Sequence, residues 1–213
     1  MAEQPLISVR GEAFREVPPE IAVLSITVSA SGRRRQDTLE RLTERAAELR
    51  TALDDYRDAI ERSETAGAQV YSEVKPGSEH LAVYVGRVTT TVTVTDFAVL
   101  GDLVLGLGNR KETAVSGPWW QLRPGSTAGS EVRREAIADA LRRAREYAEA
   151  VGARVDRLVE ISDEGAEGAH PMMRVAAFGG APESDLALVI DPQQQTVRAA
   201  VTVRVTITTP TSL

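Results

Sequence analysis

The side chains best suited to acid–base or metal chemistry are scarce in this sequence. It has two histidines, His80 and His170, and no cysteine. A metal site would need both imidazoles together with carboxylates such as Asp163, Glu164 and Glu167, brought together by the fold. The alternative is that both histidines are solvated loop residues. The absence of cysteine excludes disulfides, thiolate metal sites and cysteine nucleophiles.

Two other patterns resemble catalytic motifs without meeting their requirements. Residues 101–108, GDLVLGLG, have the glycines of a phosphate-binding loop, but Leu107 stands where a Walker A motif needs lysine. Glu131, Glu135 and Asp139 share one helical face, which a solvated surface explains. We therefore predict no catalytic residue, no metal and no cofactor. We expect a protein that is not an enzyme, and an enzyme of unknown type is the weakest alternative.

Two clusters are less easily explained as ordinary solvent-exposed residues. Arg33, Arg34 and Arg35 open a predicted helix, where the helix dipole disfavours positive charge. They would meet an anionic ligand or an acidic patch of another subunit, or else form a solvated cluster. Trp119 and Trp120 are neighbours on a predicted strand and so point to opposite faces, one into the core and one toward a loop, a ligand or a second chain. All five are candidate interface residues.

Composition limits the classes of function. The chain has 213 residues and a formal net charge of −6, which argues against general nucleic-acid binding because that needs a basic face. The first residues lack the basic start and apolar run of a secretory signal. No apolar stretch approaches the roughly 20 residues that span a bilayer. We expect a cytoplasmic protein.

Hydrophobic spacing predicts the elements that position these residues. Strict alternation of apolar residues over 197–207 predicts a strand with one buried face. Alanines at every fourth position of Glu131–Gly152 predict a helix with a small-residue ridge, ended by a left-handed glycine. The other predicted elements are strands at 7–13, 22–30, 67–74, 88–94, 113–122 and 155–161, the first two forming a hairpin, and helices at 34–60 and 97–105. Gly117 and Pro118 predict an edge or a bulge within their strand.

These elements predict an α+β fold in the order ββα-ββα-βα-β-β, with an antiparallel or mixed sheet and long helices packed on one face. We predict one domain over residues 1–213, with possible sub-lobes at 1–80 and 81–213 and a long loop at 162–195. Loops of that length are usually functional or mobile. An alternative function is therefore a small-ligand-binding module with a pocket under residues 170–185.

Four stretches in this order resemble the SIMPL-domain family, also known as DUF541. They are ISVRGEAFREVPPEIAVLSITVSASG, YVGRVTTTVTVTDFAVLGDLVLGLGN, AIADALRRAREYAEAVGARVDRLVEIS, and HPMMRVAA followed by IDPQQQTVRAAVTVRVTI. The family includes a bacterial periplasmic, outer-membrane-associated antigen and relatives linked to oxidative stress. The resemblance implies an α+β fold and homo-oligomers, and it supplies no established catalytic residues to carry over to this sequence. We therefore expect a self-assembling scaffold or interaction module, with stress protection as a further expectation.

Overall fold

The computed structural model describes residues 4–74, 82–164 and 188–211. Their elements follow the predicted order and confirm the α+β class. The strands are β1 (Leu6–Val17), β2 (Ile21–Gly32), β3 (Ile60–Val74), β4 (Ala82–Val94), β5 (Thr113–Gln121), β6 (Val155–Asp163) and β7 (Gln195–Ile207). The helices are α1 (Arg35–Asp54), α2 (Leu100–Gly108), which follows a 3-10 turn at Phe97–Val99, and α3 (Ala128–Ala150).

The chain divides into two compact units that interleave along the sequence. The three-stranded unit comprises Met1–Pro18, Leu122–Met173 and Gln194–Leu213, and the four-stranded unit comprises Pro19–Gln121 and Arg174–Gln193. The suggested sub-lobes 1–80 and 81–213 do not match this division, because β3 and β4, on either side of residue 80, pair with each other.

The three-stranded unit is an antiparallel sheet of order β1-β7-β6 with α3 on one face. The alternating apolar residues of β7 are buried as predicted, and Val203 and Val205 are fully inaccessible. The four ridge alanines of α3 are also fully buried. Gly152 follows the helix with a φ of 65°, the left-handed conformation that glycine adopts without steric cost. The small-residue ridge and its glycine stop are therefore confirmed.

A glycine in β1 sets how closely α3 approaches the sheet. A Cβ atom built on Gly11 would lie 2.2 Å from the carbonyl oxygen of Ala136 and 2.5 Å from the amide nitrogen of Ala140. Both atoms belong to the helix backbone, so no side-chain rotation could relieve the overlap. Strand and helix backbones are therefore in direct contact, which requires glycine on one side and alanine on the other.

The four-stranded unit is an antiparallel sheet of order β3-β4-β2-β5 whose core is built from large side chains. Alternate residues of β2, such as Leu24 and Ile26, are fully buried on one face. The helices cover that face with leucines, which are Leu42, Leu49 and Leu53 of α1 and Leu100, Leu103 and Leu107 of α2. The leucine spacing therefore produces a helix packed on its own sheet.

Several expected details are corrected. The single expected sheet is two sheets, and β1 and β2 do not form a hairpin, because β1 pairs with β7 while β2 pairs with β4 and β5. Pro18 and Pro19 separate β1 from β2, and proline cannot donate to a ladder. Helix α1 ends at Asp54 rather than near residue 60. Consecutive acidic residues lie at the observed end, where their charge is unfavourable beside the negative end of the helix dipole.

Two of the predicted strands also differ in outcome. β3 begins at Ile60 rather than Gly67, since its pairing with β4 extends it through residues that carry no apolar alternation. β5 occupies an edge of its sheet, and its ladder with β2 shifts register between Val23 and Ser25, opposite Trp119 and Ser116. The predicted edge or bulge at Gly117 and Pro118 is therefore confirmed.

Candidate interaction surface

The most exposed apolar segment of the three-stranded unit lies on β6. Leu158, Val159 and Ile161 are 49, 50 and 45% exposed, and every residue of β6 after Val155 is exposed. We call these three residues the β6 apolar edge. Sequence spacing predicted the strand, but short apolar runs usually mark buried strands. Their exposure therefore reflects what the tertiary structure leaves uncovered.

Register explains why the β6 apolar edge is apolar. Leu158 lies opposite Val205 and Ile161 lies opposite Val203, and both valines point into the core beneath α3. Leu158 and Ile161 therefore project from the same face of the sheet as the buried valines. They remain half exposed because the ridge of α3 packs over β1 and β7. β6 therefore carries the apolar residues of a buried strand, although α3 does not pack fully over it.

The two flanks of α3 differ in chemistry. The residue before each ridge alanine lies about 100° round the helix in one direction, and the residue after it lies about 100° in the other. The first flank carries Glu131, Glu135 and Asp139, which bond to residues of β1. The second flank carries the half-buried Ile137 and Leu141. The helix is thus acidic toward the β1 edge and apolar toward the β6 side.

The β1 edge is sealed by those acidic residues. Arg15 bonds to the carboxylates of Glu131, at 2.5 Å, and Glu135. The backbone N–H of Glu12 donates to Oδ2 of Asp139 at 3.2 Å. The N–H of Glu12 is therefore not available to a strand of another chain, and the Arg15 ion pairs lie beside it on the same edge.

The contact between α3 and β1 also affects the pKa of the Asp139 carboxyl. Burial raises the pKa of its carboxyl, but the hydrogen bond from the Glu12 N–H and the nearby guanidinium groups of Arg142 and Arg143 outweigh that effect, so the pKa is lowered from its ordinary value. Arg143 lies 3.1 Å from Oδ2 of Asp139, and Arg142 contacts the other carboxylate oxygen. The charged form is therefore the one that holds α3 to β1.

The face of the three-stranded sheet opposite α3 is dominated by ion pairs. Arg10 lies 2.9 Å from Glu12 and 3.3 Å from Glu164, and Arg204 lies 3.2 Å from Glu160. At one end of this face, Arg10, Glu12, Glu164, Arg198 and the 74% exposed Phe14 help to line an open groove of about 570 Å³. Such a groove offers charged and aromatic contacts, although its polar side chains are largely solvated.

The two tryptophans point to opposite faces, as the strand spacing predicts. Trp120 is 8% exposed and packs edge to face on Phe97, with ring centroids 4.9 Å apart and an interplanar angle of 78°. Trp119 is 38% exposed. Trp120 is therefore a core residue, and of the pair only Trp119 has a surface that another molecule could cover. A role of Trp119 at a subunit contact stays a prediction.

The arginine cluster opens α1 as expected. Arg34 is the N-cap residue and makes no side-chain capping bond, and all three arginines are exposed. The side chain of Arg34 lies 3.8 Å from Asp37, the one acidic residue in the first turn. That exposed pair contributes little to stability. The cluster remains available to an anionic partner, and its interface role stays a prediction.

Sequence spacing missed a cluster in the four-stranded unit around Glu112. This residue has a φ of 54°, unusual for a side chain other than glycine. Its carbonyl oxygen accepts from the N–H of Ser29 at 2.9 Å, and its carboxylate accepts from Arg45. Arg45 lines a groove of about 390 Å³ together with Arg41, Arg110 and Lys111. No local pattern marks a glutamate that long-range contacts hold in the left-handed region.

The remaining candidate sites lie outside the described residues. These are His80, His170 and Glu167, and with them the proposed pocket under residues 170–185. Across residues 4–74, 82–164 and 188–211, no three acidic or histidine side chains converge as metal ligands. In the same ranges, every buried side-chain nitrogen or oxygen has a hydrogen-bond partner. None of the helices described is both long and apolar enough to cross a bilayer.

Comparison with known proteins gives one family. The family model SIMPL, described as a protein of unknown function (DUF541), matches residues 7–205. The match includes both sheets and all three helices, as the four resembling stretches predict. No curated protein matches the chain.

Proposed function

Because the chain belongs to the SIMPL family, whose function is unknown, we propose a role from its own surfaces. It is a non-enzymatic interaction module that self-assembles and acts as a scaffold. The observation that carries this proposal is the β6 apolar edge, a strand edge on which Leu158, Val159 and Ile161 remain about half exposed. Apolar residues clustered on an open strand edge are typical of protein–protein contacts and of aggregation-prone sites.

The asymmetry of the three-stranded unit supports this proposal. One edge strand, β1, is bonded to α3 through Arg15 and the Glu12 N–H. The other edge strand, β6, receives no such cover from the helix, whose nearer flank is apolar at Ile137 and Leu141. Protection at one edge and apolar exposure at the other is the pattern expected if a partner occupies the second edge.

Native mass tests self-assembly. We expect sedimentation velocity on the complete chain, over a wide concentration range, to show a species heavier than one 23.0 kDa chain. Leu158→Lys and Ile161→Lys should shift the distribution toward the monomer, because a charge would have to be desolvated in the contact. A strict monomer at every concentration would refute the proposal.

A matched control separates this effect from a general gain of charge. Tyr147 is 60% exposed and belongs to the α3 flank that faces β1. Tyr147→Lys adds the same charge on the same unit and should leave the mass unchanged. If Tyr147→Lys dissociated the assembly as much as the β6 variants do, the effect would be due to the added charge and not to a contact at β6.

A second contact is proposed at the sequence-derived interface residues. Trp119 remains partly exposed and Arg33, Arg34 and Arg35 form an exposed cationic cluster. Replacing the three arginines by glutamine should lower the native mass at low salt if they meet an acidic patch of another subunit. Trp119→Ser should weaken assembly independently of salt. A mass unchanged by both replacements would remove this contact from the proposal.

The second candidate function is a small-ligand-binding module, favoured by the groove beside Phe14. Its two arginines, Arg10 and Arg198, and its exposed aromatic ring suit an anionic aromatic ligand. Salicylate and a nucleoside monophosphate are suitable probes in a thermal-shift assay. Stabilisation that Arg198→Gln abolishes would favour this function, and no shift with either probe would count against it.

The cellular role is proposed as stress-related and the location as cytoplasmic, following the family resemblance and the expectation drawn from the sequence. A deletion strain challenged with peroxide tests the first, and cell fractionation with a specific antibody tests the second. Normal survival of the deletion strain would argue against a protective role.

A further inference from the structure

Resting on the proposed self-assembly, we propose that two copies associate by antiparallel pairing of β6 with β6, about a twofold axis between Leu158 and Val159. Among the strands that the structure describes, β6 pairs with β7 alone, at the end of the sheet order β1-β7-β6. An edge strand presents unpaired backbone N–H and C=O groups to a further strand. A twofold contact of this kind uses the same surface on both subunits and closes as a dimer.

The charges along β6 are complementary to the same strand run backwards. Arg157 lies on the N-terminal side of the axis, and Glu160 lies equally far on the C-terminal side. Antiparallel pairing about the axis therefore places Arg157 opposite Glu160 of the second copy, and Glu160 opposite its Arg157. Registers shifted by one residue in either direction do not set Arg157 against Glu160.

A β-bulge makes this pair geometrically possible. Residues opposite each other in an antiparallel ladder must project from the same face. In a regular strand, residues three apart project from opposite faces. In β6, however, the ladder shifts between Leu158 and Glu160, so that Arg157 lies opposite Thr206 and Glu160 opposite Arg204. These β7 residues are two apart, so Arg157 and Glu160 share a face, as the twofold pairing requires.

The charged groups on this face favour pairing. Within the described residues, Arg157 makes no ion pair, whereas Glu160 lies 3.2 Å from Arg204. Arg157 of the second copy would join that pair and form a row of alternating charge on each side of the axis. Leu158 and Val159 of the two copies would meet at the centre and remove apolar surface from water. Cross-strand pairs of both kinds stabilise antiparallel ladders.

Charge exchange tests the register directly. Arg157→Glu places two glutamates opposite each other, and Glu160→Arg places two arginines opposite each other. Each single variant should raise the dimer dissociation constant about tenfold or more at low salt, because two favourable pairs become repulsive. The double variant, Arg157→Glu with Glu160→Arg, restores both pairs and should return to within about threefold of the wild-type constant.

Mixing the two single variants provides a test that does not depend on how well either self-associates. In the mixed pair every facing charge is opposite, so the two proteins should form a heterodimer tighter than either homodimer. Mass photometry or sedimentation with one labelled variant measures it. Arg134→Glu, on the exposed face of α3, is the matched charge control and should leave the dissociation constant unchanged.

The outcomes distinguish this pairing from the broader proposal. Dissociation by Leu158→Lys without any response to charge exchange would overturn the pairing and leave self-assembly at β6 intact. Self-association unaffected by every β6 variant would place assembly elsewhere and overturn the pairing. A monomeric wild type whose Leu158→Lys variant unfolds at a lower temperature would overturn both, since a segment of the same chain would then cover the strand.

Discussion

In the three-stranded unit a helix lies backbone to backbone on its sheet, whereas in the four-stranded unit leucine side chains fill the space between helices and sheet. A glycine occupies a buried strand position in each. A Cβ on Gly11 would meet backbone atoms of α3, but a Cβ on Gly86 would meet the Cδ2 end of Leu42 at 2.8 Å. A leucine can rotate aside and a helix backbone cannot, so the first layer has far less tolerance than the second.

The difference also governs what each layer leaves exposed. A narrow alanine ridge covers only the strands directly beneath it, and in the three-stranded unit these are β1 and β7. Leucines on two helices cover a wider sheet. The β6 apolar edge therefore results from the close packing that the ridge permits. Close approach gives tight contact over a narrow part of the sheet. The part of the sheet that α3 does not cover is the surface to which we assign assembly.

The largest effect is expected where the backbone contact is closest. Gly11→Ala should lower the free energy of unfolding by about 3 kcal/mol or more, since strand or helix must shift to admit the methyl group. Gly86→Ala is the matched control in the four-stranded unit and should change it by less than about 1 kcal/mol. Chemical denaturation followed by far-ultraviolet circular dichroism measures both. Equal losses would mean that both layers tolerate added volume alike.

Replacing a large side chain by a small one should destabilise the four-stranded unit more than the three-stranded unit, which is the reverse of the glycine replacements. Leu49→Ala removes a side chain that is 3% exposed and should cost about 2–3 kcal/mol through lost burial and a cavity. Ala140→Gly, its counterpart in α3, should cost about 1 kcal/mol, mostly helix propensity. Both tryptophans lie on β5 of the four-stranded unit, so their fluorescence reports the Leu49 variant directly. A larger loss for Ala140→Gly would contradict the comparison.

Left-handed residues provide a third contrast. Gly152 ends α3 with a φ of 65°, and Gly152→Ala should cost about 1–2 kcal/mol because a Cβ is disfavoured there. Glu112 already bears a Cβ at a φ of 54° and is held by Arg45 and Ser29. Glu112→Gly should change stability by less than about 1 kcal/mol, since relief of the backbone offsets the lost ion pair. Thermal unfolding of both variants checks this.

The smallest effect concerns the sealed β1 edge and depends on pH. The pKa of Asp139 is lowered in the folded chain from its ordinary value of 3.8, so its contribution is complete above that value and is lost as pH falls through the lower folded pKa. Asp139→Asn should cost about 1 kcal/mol at neutral pH. The difference from wild type should disappear in acid, as measured by denaturation from pH 7 to pH 2. A difference that grew as pH fell would have the wrong sign.

Local pattern was sufficient for most elements. Alternation identified β2 and β7, and four-residue spacing identified the ridge of α3, because a side chain's face follows directly from the period of its element. Adjacent positions on one strand likewise separated Trp119 from Trp120. β3 was underestimated, because an edge strand held by backbone pairing needs no apolar period. The end of α1 was overestimated, because the apolar spacing continues through Tyr56 and Ile60, which pack on the same core although they lie beyond the helix.

By itself, the sequence determined the order of the elements, the buried faces of the clearly periodic ones and the small-residue ridge with which α3 packs closely. These properties follow from side-chain volume and from the geometry of one helix or strand. Only the tertiary structure decided that there are two sheets, that β1 pairs with β7, and that α3 leaves β6 uncovered. Strand partners depend on contacts between residues nearly two hundred positions apart, as between Ile7 and Val205. Many strands satisfy the same local pattern, and only their mutual packing selects which of them pair.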